Sequence, residues 1–333
     1  MRKVKVALIG MNMYSHSSPI YNLLSKLEAY YEIAGYVLPE GEREAYPHKL
    51  RYLEGLPELT MEKVLTDESI EAVLIETDEI HLTKYALLAA KHNKHIHMEK
   101  PGGVSLSDFR ELIATMKQTG KVFHMGYMYR YNPVIRQAIE QARAGGLGQI
   151  ISVEVQMNCP HDPAARQWLE RFPGGMMFFL GCHLVDLVLQ IQGQPKRITP
   201  YNCSTGADGV TAKDFGMAVL EYENGVSFVK TNACEPGGFV RRQLVITGTE
   251  KTLELKPLEI MEGQLHHTNM TCYAQYEDWH DKGIFTEGTP FGRYTDMMIS
   301  FAKYVAGEKE NPYTPDYELC LFETILKCCG GEA

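Results

Sequence analysis

Glu99-Lys100-Pro101 stands directly after a short apolar run, His95–Met98. A lysine leaving a buried strand sits at the carboxyl edge of a parallel sheet, which is where such sheets bind ligands. An ammonium group there can steady negative charge developing on oxygen, or help to move a proton. The second chemical candidate is His183, in Gly174-Gly175-Met176-Met177-Phe178-Phe179-Leu180-Gly181-Cys182-His183-Leu184-Val185-Asp186. Imidazole titrates near neutrality, so a neutral base is available at physiological pH. Asp186 follows about one turn later and could orient the ring or cap a loop. Trp168 and Arg171 come just before this stretch. They could stack on and hydrogen-bond a sugar ring, or only pack against their own neighbours. His161-Asp162 could join His183 around a metal, but zinc-type ligand spacing is absent and no metal is expected. His95 and His97 alternate on a strand and read as structural, and Arg241-Arg242 reads as a sheet edge rather than a phosphate clamp.

These residues need a scaffold. The first ~120 residues alternate between short apolar runs and helical spacing, the pattern of a parallel sheet covered on both faces. Strands are expected at Val4–Gly10, Tyr31–Leu38, Ala72–Ile75, His95–Met98 and Val122–Gly126. Helices are expected at Pro19–Glu28, Glu62–Leu65, His81–His92 and Ser105–Thr119. From Pro133 the pattern changes. Helices are expected at Val134–Ala144 and Met176–Gln190, and strands at Ile150–Met157, Ile198–Cys203, Met217–Tyr222, Val226–Ala233, Arg242–Thr247 and Thr252–Leu255. Glu223-Asn224-Gly225 carries a hairpin signal. Helices over Tyr294–Val305 and Pro315–Cys328 close the chain. The expected fold class is α/β. A Rossmann-type dinucleotide-binding domain over residues 1–123 is followed by an α/β domain over 124–333 with an open, mainly antiparallel sheet.

Composition narrows the field. The chain has 333 residues, 44% of them hydrophobic and 23% charged, which suits two globular domains and excludes disordered or fibrous classes. Its net charge of −9, with no basic block, argues against a nucleic-acid partner. No apolar run reaches the ~18–20 residues of a membrane span, and the N-terminal segment reads as a strand rather than a leader peptide. The eight cysteines (159, 182, 203, 234, 272, 320, 328 and 329) form no Cys-x-x-Cys pair. They read as reduced thiols of a cytoplasmic protein.

The first strand ends in Gly10-Met11-Asn12-Met13-Tyr14-Ser15. A dinucleotide fold wants Gly-x-Gly-x-x-Gly here, for a tight turn and close backbone approach to a pyrophosphate. Only the first glycine is present; Asn12 and Ser15 hold the other two positions. Asn tolerates a left-handed backbone and serine is small, so the turn could still form. The second strand should end in an acid for the ribose hydroxyls. It ends Tyr36-Val37-Leu38-Pro39-Glu40, and Glu40 could reach the ribose or be an ordinary solvated loop residue.

In order and spacing, these segments resemble the glucose–fructose oxidoreductase/inositol dehydrogenase (Gfo/Idh/MocA) family over essentially the whole chain. Glu99-Lys100-Pro101 is similar to its signature, Thr77 to its cofactor-loop threonine, and Gly126-Tyr127-Met128-Tyr129-Arg130-Tyr131-Asn132-Pro133 to the segment opening its second domain. Residues 174–186 resemble its catalytic helix. Gly148, before the first strand of the second domain, and Phe301, in the closing helices, also fit. The resemblance implies an NAD(P)-dependent oxidoreductase acting on a secondary hydroxyl of a sugar, cyclitol or glycoside. It implies Lys100 and His183 as catalytic residues. Cofactor contacts are implied at Gly10, Met11, Asn12, Met13, Val37, Thr77, Glu99, Lys100 and Arg130. Substrate contacts are implied at Lys100, Tyr129, Trp168, Arg171, His183 and Asp186. A carbohydrate-like small molecule between Lys100 and the His183 helix, and a homodimer or homotetramer formed through the second sheet, are also implied. NAD is favoured over NADP, since no cationic fork stands near Val37 and Arg43 is the nearest candidate.

One departure matters. The family places Asp four residues before the histidine, and here that position is Phe179. Three readings stay open: His183 works alone, an acid such as Asp162 or Asp186 substitutes, or the usual dehydrogenase activity is lost. Two other functions remain beside the dehydrogenase. One is cleavage of a glycoside through a bound, recycled NAD, and the other is ligand binding without turnover.

Overall fold

The structure is a computed structural model that describes residues 2–274 and 279–331. The chain forms two compact units, Met1–Tyr127 with Tyr294–Phe322, and Met128–Arg293 with Glu323–Ala333. The division expected at residues 123 and 124 therefore lies just short of the observed one at Tyr127. The closing helical segment 294–322 belongs with the first unit. Its ties are local: Tyr31 donates its hydroxyl to the Met298 carbonyl, Asn311 donates to the Phe123 carbonyl at 2.8 Å, and Phe322 stacks on Phe109 at 4.3 Å.

The first unit holds a five-stranded sheet of β1 (Val4–Ile9), β2 (Tyr31–Val37), β3 (Ala72–Ile75), β4 (His95–Met98) and β5 (Phe123–Met125), in the order β2-β1-β3-β4-β5. Every pairing is parallel. β3 is buried at every residue and β1 at all but one, as expected of strands covered on both faces. Helices α1 (Ser17–Leu24), α2 (Glu42–Ala45), α3 (Met61–Thr66), α4 (Leu82–Lys91) and α5 (Leu106–Thr119) connect the strands. α1 starts at Ser17, before Pro19, because a first-turn proline lacks only an N–H that the helix does not use. The register decides where function can lie. Ile9 pairs with Val37 and Ile75, Ile75 with Met98, and Met98 with Met125. The residues that follow, Gly10, Glu76-Thr77 and Glu99-Lys100, therefore leave the sheet along one edge.

The second unit begins with α6 (Pro133–Arg143), followed by β6 (Ile150–Asn158), α7 (Pro163–Trp168), α8 (Met176–Phe179) and α9 (Gly181–Gln192). The helix expected over Met176–Gln190 is thus two helices, broken at Leu180, where φ is −112°. Next come β7 (Arg197–Cys203), β8 (Phe215–Tyr222), β9 (Gly225–Asn232), β10 (Gln243–Gly248) and β11 (Lys251–Leu255). β12 (Ile260–Glu262) and β13 (Leu265–His267) form a separate hairpin, and β14 (Met270–Ala274) and β15 (Ile284–Thr286) complete the strands. The eight-stranded sheet runs β15-β14-β11-β10-β6-β9-β8-β7. All its pairs are antiparallel except β6 with β9, as the expected mainly antiparallel sheet requires. α9 is buried on all sides from Gly181 to Gln190, so its polar residues must find partners inside the protein. α10 (Thr295–Val305) and α11 (Pro315–Cys328) end the chain. All eight cysteines are thiols outside any disulfide. Among the described residues no helix is long and apolar enough to cross a membrane.

Gly10 is the tightest point of the first unit. Its φ is +79°, and a Cβ there would lie 2.6 Å from the Thr77 Cβ. Both the backbone conformation and the approach of β3 exclude a side chain. Gly10→Ala is expected to destabilise the protein by on the order of 1–3 kcal/mol, the usual range for a strained backbone residue. A urea denaturation midpoint unchanged by this substitution contradicts the account.

Candidate active site

The carboxyl edge of the first sheet carries a buried, highly polar cluster. Gly10 N donates to the Val37 carbonyl at 2.9 Å, which closes the β1–α1 turn on the end of β2. Asn12, at the position of the missing second glycine, is buried. Its side-chain amide donates to the Thr77 carbonyl at 3.4 Å and to the Glu79 carboxylate, while its Oδ1 accepts the Tyr14 N–H at 2.9 Å. Ser15, at the third position, donates to Ser17 Oγ at 2.9 Å. The buried Lys49 ammonium donates to the carbonyls of Asn12 and Met13, the latter at 3.2 Å. The turn is therefore held by side chains where the usual motif relies on glycine. Met13 itself is exposed.

The acid missing from the tip of β2 arrives later. Glu40 is exposed, but Glu42, the first residue of α2, is buried. Glu42 accepts the Met11 N–H at 2.7 Å and the Thr77 hydroxyl. Burial raises its carboxyl to about 7, against the lowering effect of the Thr77 and Met11 hydrogen bonds. A cleft of about 420 Å³ opens beside it, lined by Pro39, Tyr46, Asp78, Lys84 and Tyr85 among others. Arg43 does not face an empty site; it pairs with Glu58 at 2.5 Å and donates to the Tyr36 hydroxyl at 3.4 Å.

Lys100 and Glu99 are almost completely buried, with Lys100 Nζ 3.8 Å from Glu99 Oε1. The Lys100-Pro101 peptide is cis. Glu99 Oε2 lies 2.9 Å from His16 Nδ1. Burial by itself raises the Glu99 carboxyl, yet His16, Lys100 and His97 outweigh it and hold the group below its ordinary value. Glu76 goes the other way: burial and the neighbouring Glu99 push it well up. One buried acid is thus kept ionised and its neighbour protonated, the division expected where like charges cannot both be accommodated. Beneath them His97 Nδ1 meets His124 Nδ1 at 2.7 Å, and burial lowers His97 to about 4, so His97 is neutral at physiological pH.

In the second unit His183 is buried on α9, and the Tyr129 ring packs edge-on against it at 5.5 Å. Tyr129 donates its hydroxyl to Glu259 at 2.8 Å. Arg130 and Asp186 form a buried two-point ion pair, Nε–Oδ2 at 3.0 Å and Nη2–Oδ1 at 2.9 Å, and Gln190 donates to the same carboxylate at 2.9 Å. Sequence places Arg130 among the cofactor contacts and Asp186 among the substrate contacts; the structure gives both a structural duty within this unit. Phe179 stacks on Phe172 with ring centroids 6.0 Å apart, and Trp168 stands edge-on to both rings. The Arg171 guanidinium lies 5.8 Å from the Trp168 centroid. Asp162 caps α7 through the Ala165 N–H at 2.8 Å. Among the described residues no cluster of His, Cys, Asp and Glu could hold a metal ion.

Arg241-Arg242 is not a simple sheet edge. Arg241 pairs with Glu235 at 2.6 Å, whereas Arg242 is buried and reaches Glu259 at 3.3 Å. Sequence reasoning missed Glu42, Lys49, Glu79 and this Arg242–Glu259 contact, because each meets its partner across many residues of chain.

A nicotinamide dinucleotide fits the first unit. The Gly10 turn admits no Cβ, the Glu42 carboxylate is poised at the loop amide, and the adjoining cleft could take the adenosine half. Gly10, Met11, Asn12, Glu42 and Thr77 would hold it.

A parallel-sheet unit with a dinucleotide turn, joined to an α/β unit with an open sheet, defines a two-domain oxidoreductase. Residues 4–127 match the oxidoreductase family with an NAD-binding Rossmann fold, and residues 135–254 match the GFO/IDH/MocA C-terminal domain. The chain belongs to the Gfo/Idh/MocA family. It is 25% identical over 284 residues to bovine trans-1,2-dihydrobenzene-1,2-diol dehydrogenase, covering 80% of this chain and 78% of the relative. It is 26% identical over 168 residues to D-xylose 1-dehydrogenase (NADP(+)) 2 of Haloferax volcanii, spanning 50% of this chain and 51% of that relative's length. In fold it is similar to aldose-aldose oxidoreductase of Caulobacter crescentus, with a TM-score of 0.79 at 17% identity over 99% of this chain and 98% of the other.

The Arg130–Asp186 pair yields a direct test. Removing one partner leaves a buried charge uncompensated, so Asp186→Leu is expected to cost about 3–5 kcal/mol of stability. Adding Arg130→Met should restore much of that loss, as measured by denaturant unfolding of the single and double variants. Additive losses in the double variant contradict the pairing.

Proposed function

We propose that this protein oxidises or reduces a secondary alcohol carbon on a sugar, cyclitol or related polyol, with NAD as the redox partner. The observation that carries this reading is the buried Glu99–Lys100 pair, which leaves the sheet at the same edge as the Gly10 turn and Thr77. The bound nicotinamide supplies the hydride chemistry. Lys100 steadies the substrate oxygen as charge develops on it. Glu99, kept ionised, and His16 fix the position of the ammonium group. His183 takes the hydroxyl proton in the oxidative direction and returns it in reduction. Relatives named for a cyclic diol and for xylose support a substrate with neighbouring hydroxyls.

The preference for NAD rests on Glu42. A buried carboxylate beside the Met11 amide can accept the two ribose hydroxyls, but it repels a 2′-phosphate. Arg43, the nearest candidate the sequence offers for that phosphate, pairs with Glu58 instead.

A second reading, ligand binding without turnover, is favoured by Phe179, because a ring stands where the family has an acid. Turnover of any polyol with matching production of NADH separates the two.

Lys100→Met is expected to reduce turnover by at least ~10²-fold, the scale of a positioned proton-transfer or charge-stabilising group. NADH binding, read by fluorescence titration, should survive. Wild-type turnover in this variant removes Lys100 from the mechanism.

Glu42 supplies a pH test. Its folded-state carboxyl is raised, so the protonated form favours folding below the ordinary value, and that contribution is lost as pH rises through about 7. Glu42→Gln mimics the protonated form. Its stability relative to wild type should therefore increase from pH 5 to pH 8. The same variant should weaken NADH binding and narrow the margin over NADPH. Tighter binding of NADPH than NADH by the wild type overturns the NAD preference.

A further inference from the structure

Three buried carboxyl groups gather at the carboxyl edge of the first sheet: Glu76 directly after β3, Glu79 in the short turn before α4, and Glu99 directly after β4. Glu76 and Glu79 are wholly shielded from water, and Glu99 is 1% exposed. Both oxygens of Glu76, Oε1 of Glu79 and Oε1 of Glu99 make no hydrogen bond. His97 Nε2 stands 3.6 Å from Glu76 Oε1, and Lys100 Nζ stands 3.8 Å from Glu99 Oε1, both beyond hydrogen-bond reach. Buried polar atoms without partners are costly, and a fold that needed only to close this edge would place apolar or bonded groups there.

The groups around the cluster have other duties. The Lys49 ammonium donates to the carbonyls of Asn12 and Met13, and His16 is bonded to Glu99 Oε2. The second oxygen of Glu79 accepts the Asn12 amide. Glu76 is faced by Glu99, Glu79, Lys49 and Lys100, by His97 on β4, and by Tyr21 on α1, whose hydroxyl donates to the Gly10 carbonyl. Burial and the Glu99 charge keep Glu76 protonated, and burial raises Glu79 to about 7 against the pull of Lys100. The cluster therefore holds protons that one added positive charge would release.

The reaction proposed above brings such a charge to this edge. An oxidised nicotinamide ring is a pyridinium cation and the reduced ring is neutral, while the rest of the cofactor is the same in both. Burial weakens solvent screening, so the cluster and the ring interact more strongly than exposed charges would.

We propose that Glu76, Glu79 and Glu99 sense the charge of the cofactor ring: the cluster favours the cationic, oxidised nicotinamide over the neutral, reduced one and gives up a proton as the oxidised form binds. This inference rests on the reading of the edge as a nicotinamide site. A proton that leaves on binding makes binding tighter as pH rises, so the oxidised form gains affinity over the reduced form from pH 6 to pH 8. Glu42 cancels from that comparison, because the ribose it would hold is common to both forms.

The test is equilibrium binding of NAD+ and of NADH to the full chain, without substrate, by calorimetry at pH 6, 7 and 8. Parallel titrations in phosphate and in Tris, which differ in ionisation heat, count the protons released. The ratio of the NADH to the NAD+ dissociation constant should rise about ten-fold across this range, with more proton release by NAD+ than by NADH. Glu76→Gln and Glu79→Gln keep the shape and neutrality of the protonated acids. In the double variant the ratio should stay constant within about two-fold over the same range. A ratio independent of pH in the wild type, or proton release by NAD+ no greater than by NADH, overturns the proposal and leaves the cofactor reading intact. A pH-dependent ratio that persists in the double variant places the proton elsewhere and also overturns it. Failure of both nucleotides to bind overturns the proposal together with the cofactor reading.

Discussion

The first unit is organised around the problem of keeping an ammonium ion, Lys100, out of water. A buried cation is tolerated only when counter-charge and hydrogen bonds stand close by. Glu99 supplies that charge, and His16 holds the far side of its carboxylate. Adding Glu76 to the same edge makes a second negative charge untenable, so that residue is driven to its protonated form. The neutral His97 below then fits, because burial disfavours an imidazolium ion there. Burial and the Glu99 charge, more than the lysine itself, set the protonated state of Glu76, and burial sets the neutral state of His97.

The same logic shapes the β1–α1 turn. Two glycines are absent, and the freedom they provide is replaced by fixed contacts. Asn12 turns its side chain inward to Thr77 and Glu79, and Lys49 ties the carbonyls on the outer side. Glu42 then caps the Met11 amide from α2, which in turn begins after a glycine at φ +83°. Gly10 alone remains, because no side-chain contact can replace the space taken by Thr77. A turn built from contacts is stiffer than one built from glycines. It gives a preformed surface for a ligand at the expense of tolerance to substitution.

Period and punctuation made much of this legible. The short apolar runs ended where the strands end, so Lys100 could be placed at the sheet edge from sequence alone. Six of the eight strands in the second sheet, β6 to β11, followed from alternation and one hairpin signal, whereas β14 and β15 were not expected. What was hidden depends on distance along the chain. Glu42 reaches Met11 over 31 residues, and Arg130 reaches Asp186 over 56. Neither spacing follows from any period. Segment 294–322 joins the first unit through Tyr31, Phe123 and Phe109, none of which announces a partner so far downstream. Arg242 read, with Arg241, as an edge residue because arginines after a loop are usually solvated, and only the fold brings Glu259 to it.

Phe179 shows how a local substitution is absorbed. An acid at this position would sit against the rings of Phe172 and Trp168. The ring instead joins an aromatic cluster with Phe172, Trp168 and Phe178, each pair worth about 0.5–1.5 kcal/mol beyond area burial. That cluster fixes the segment before α9 by packing rather than by charge. His183 then relies on a different neighbour, Tyr129, whose hydroxyl is already committed to Glu259. Burial and the Glu259 charge both push that phenol well above its ordinary range, so it remains a neutral donor and cannot act as a base. In the proposed reaction, proton acceptance falls to the imidazole. Its cationic form must be steadied by the substrate's own developing charge or by rapid loss of the proton to water, rather than by the carboxylate the family places one turn earlier.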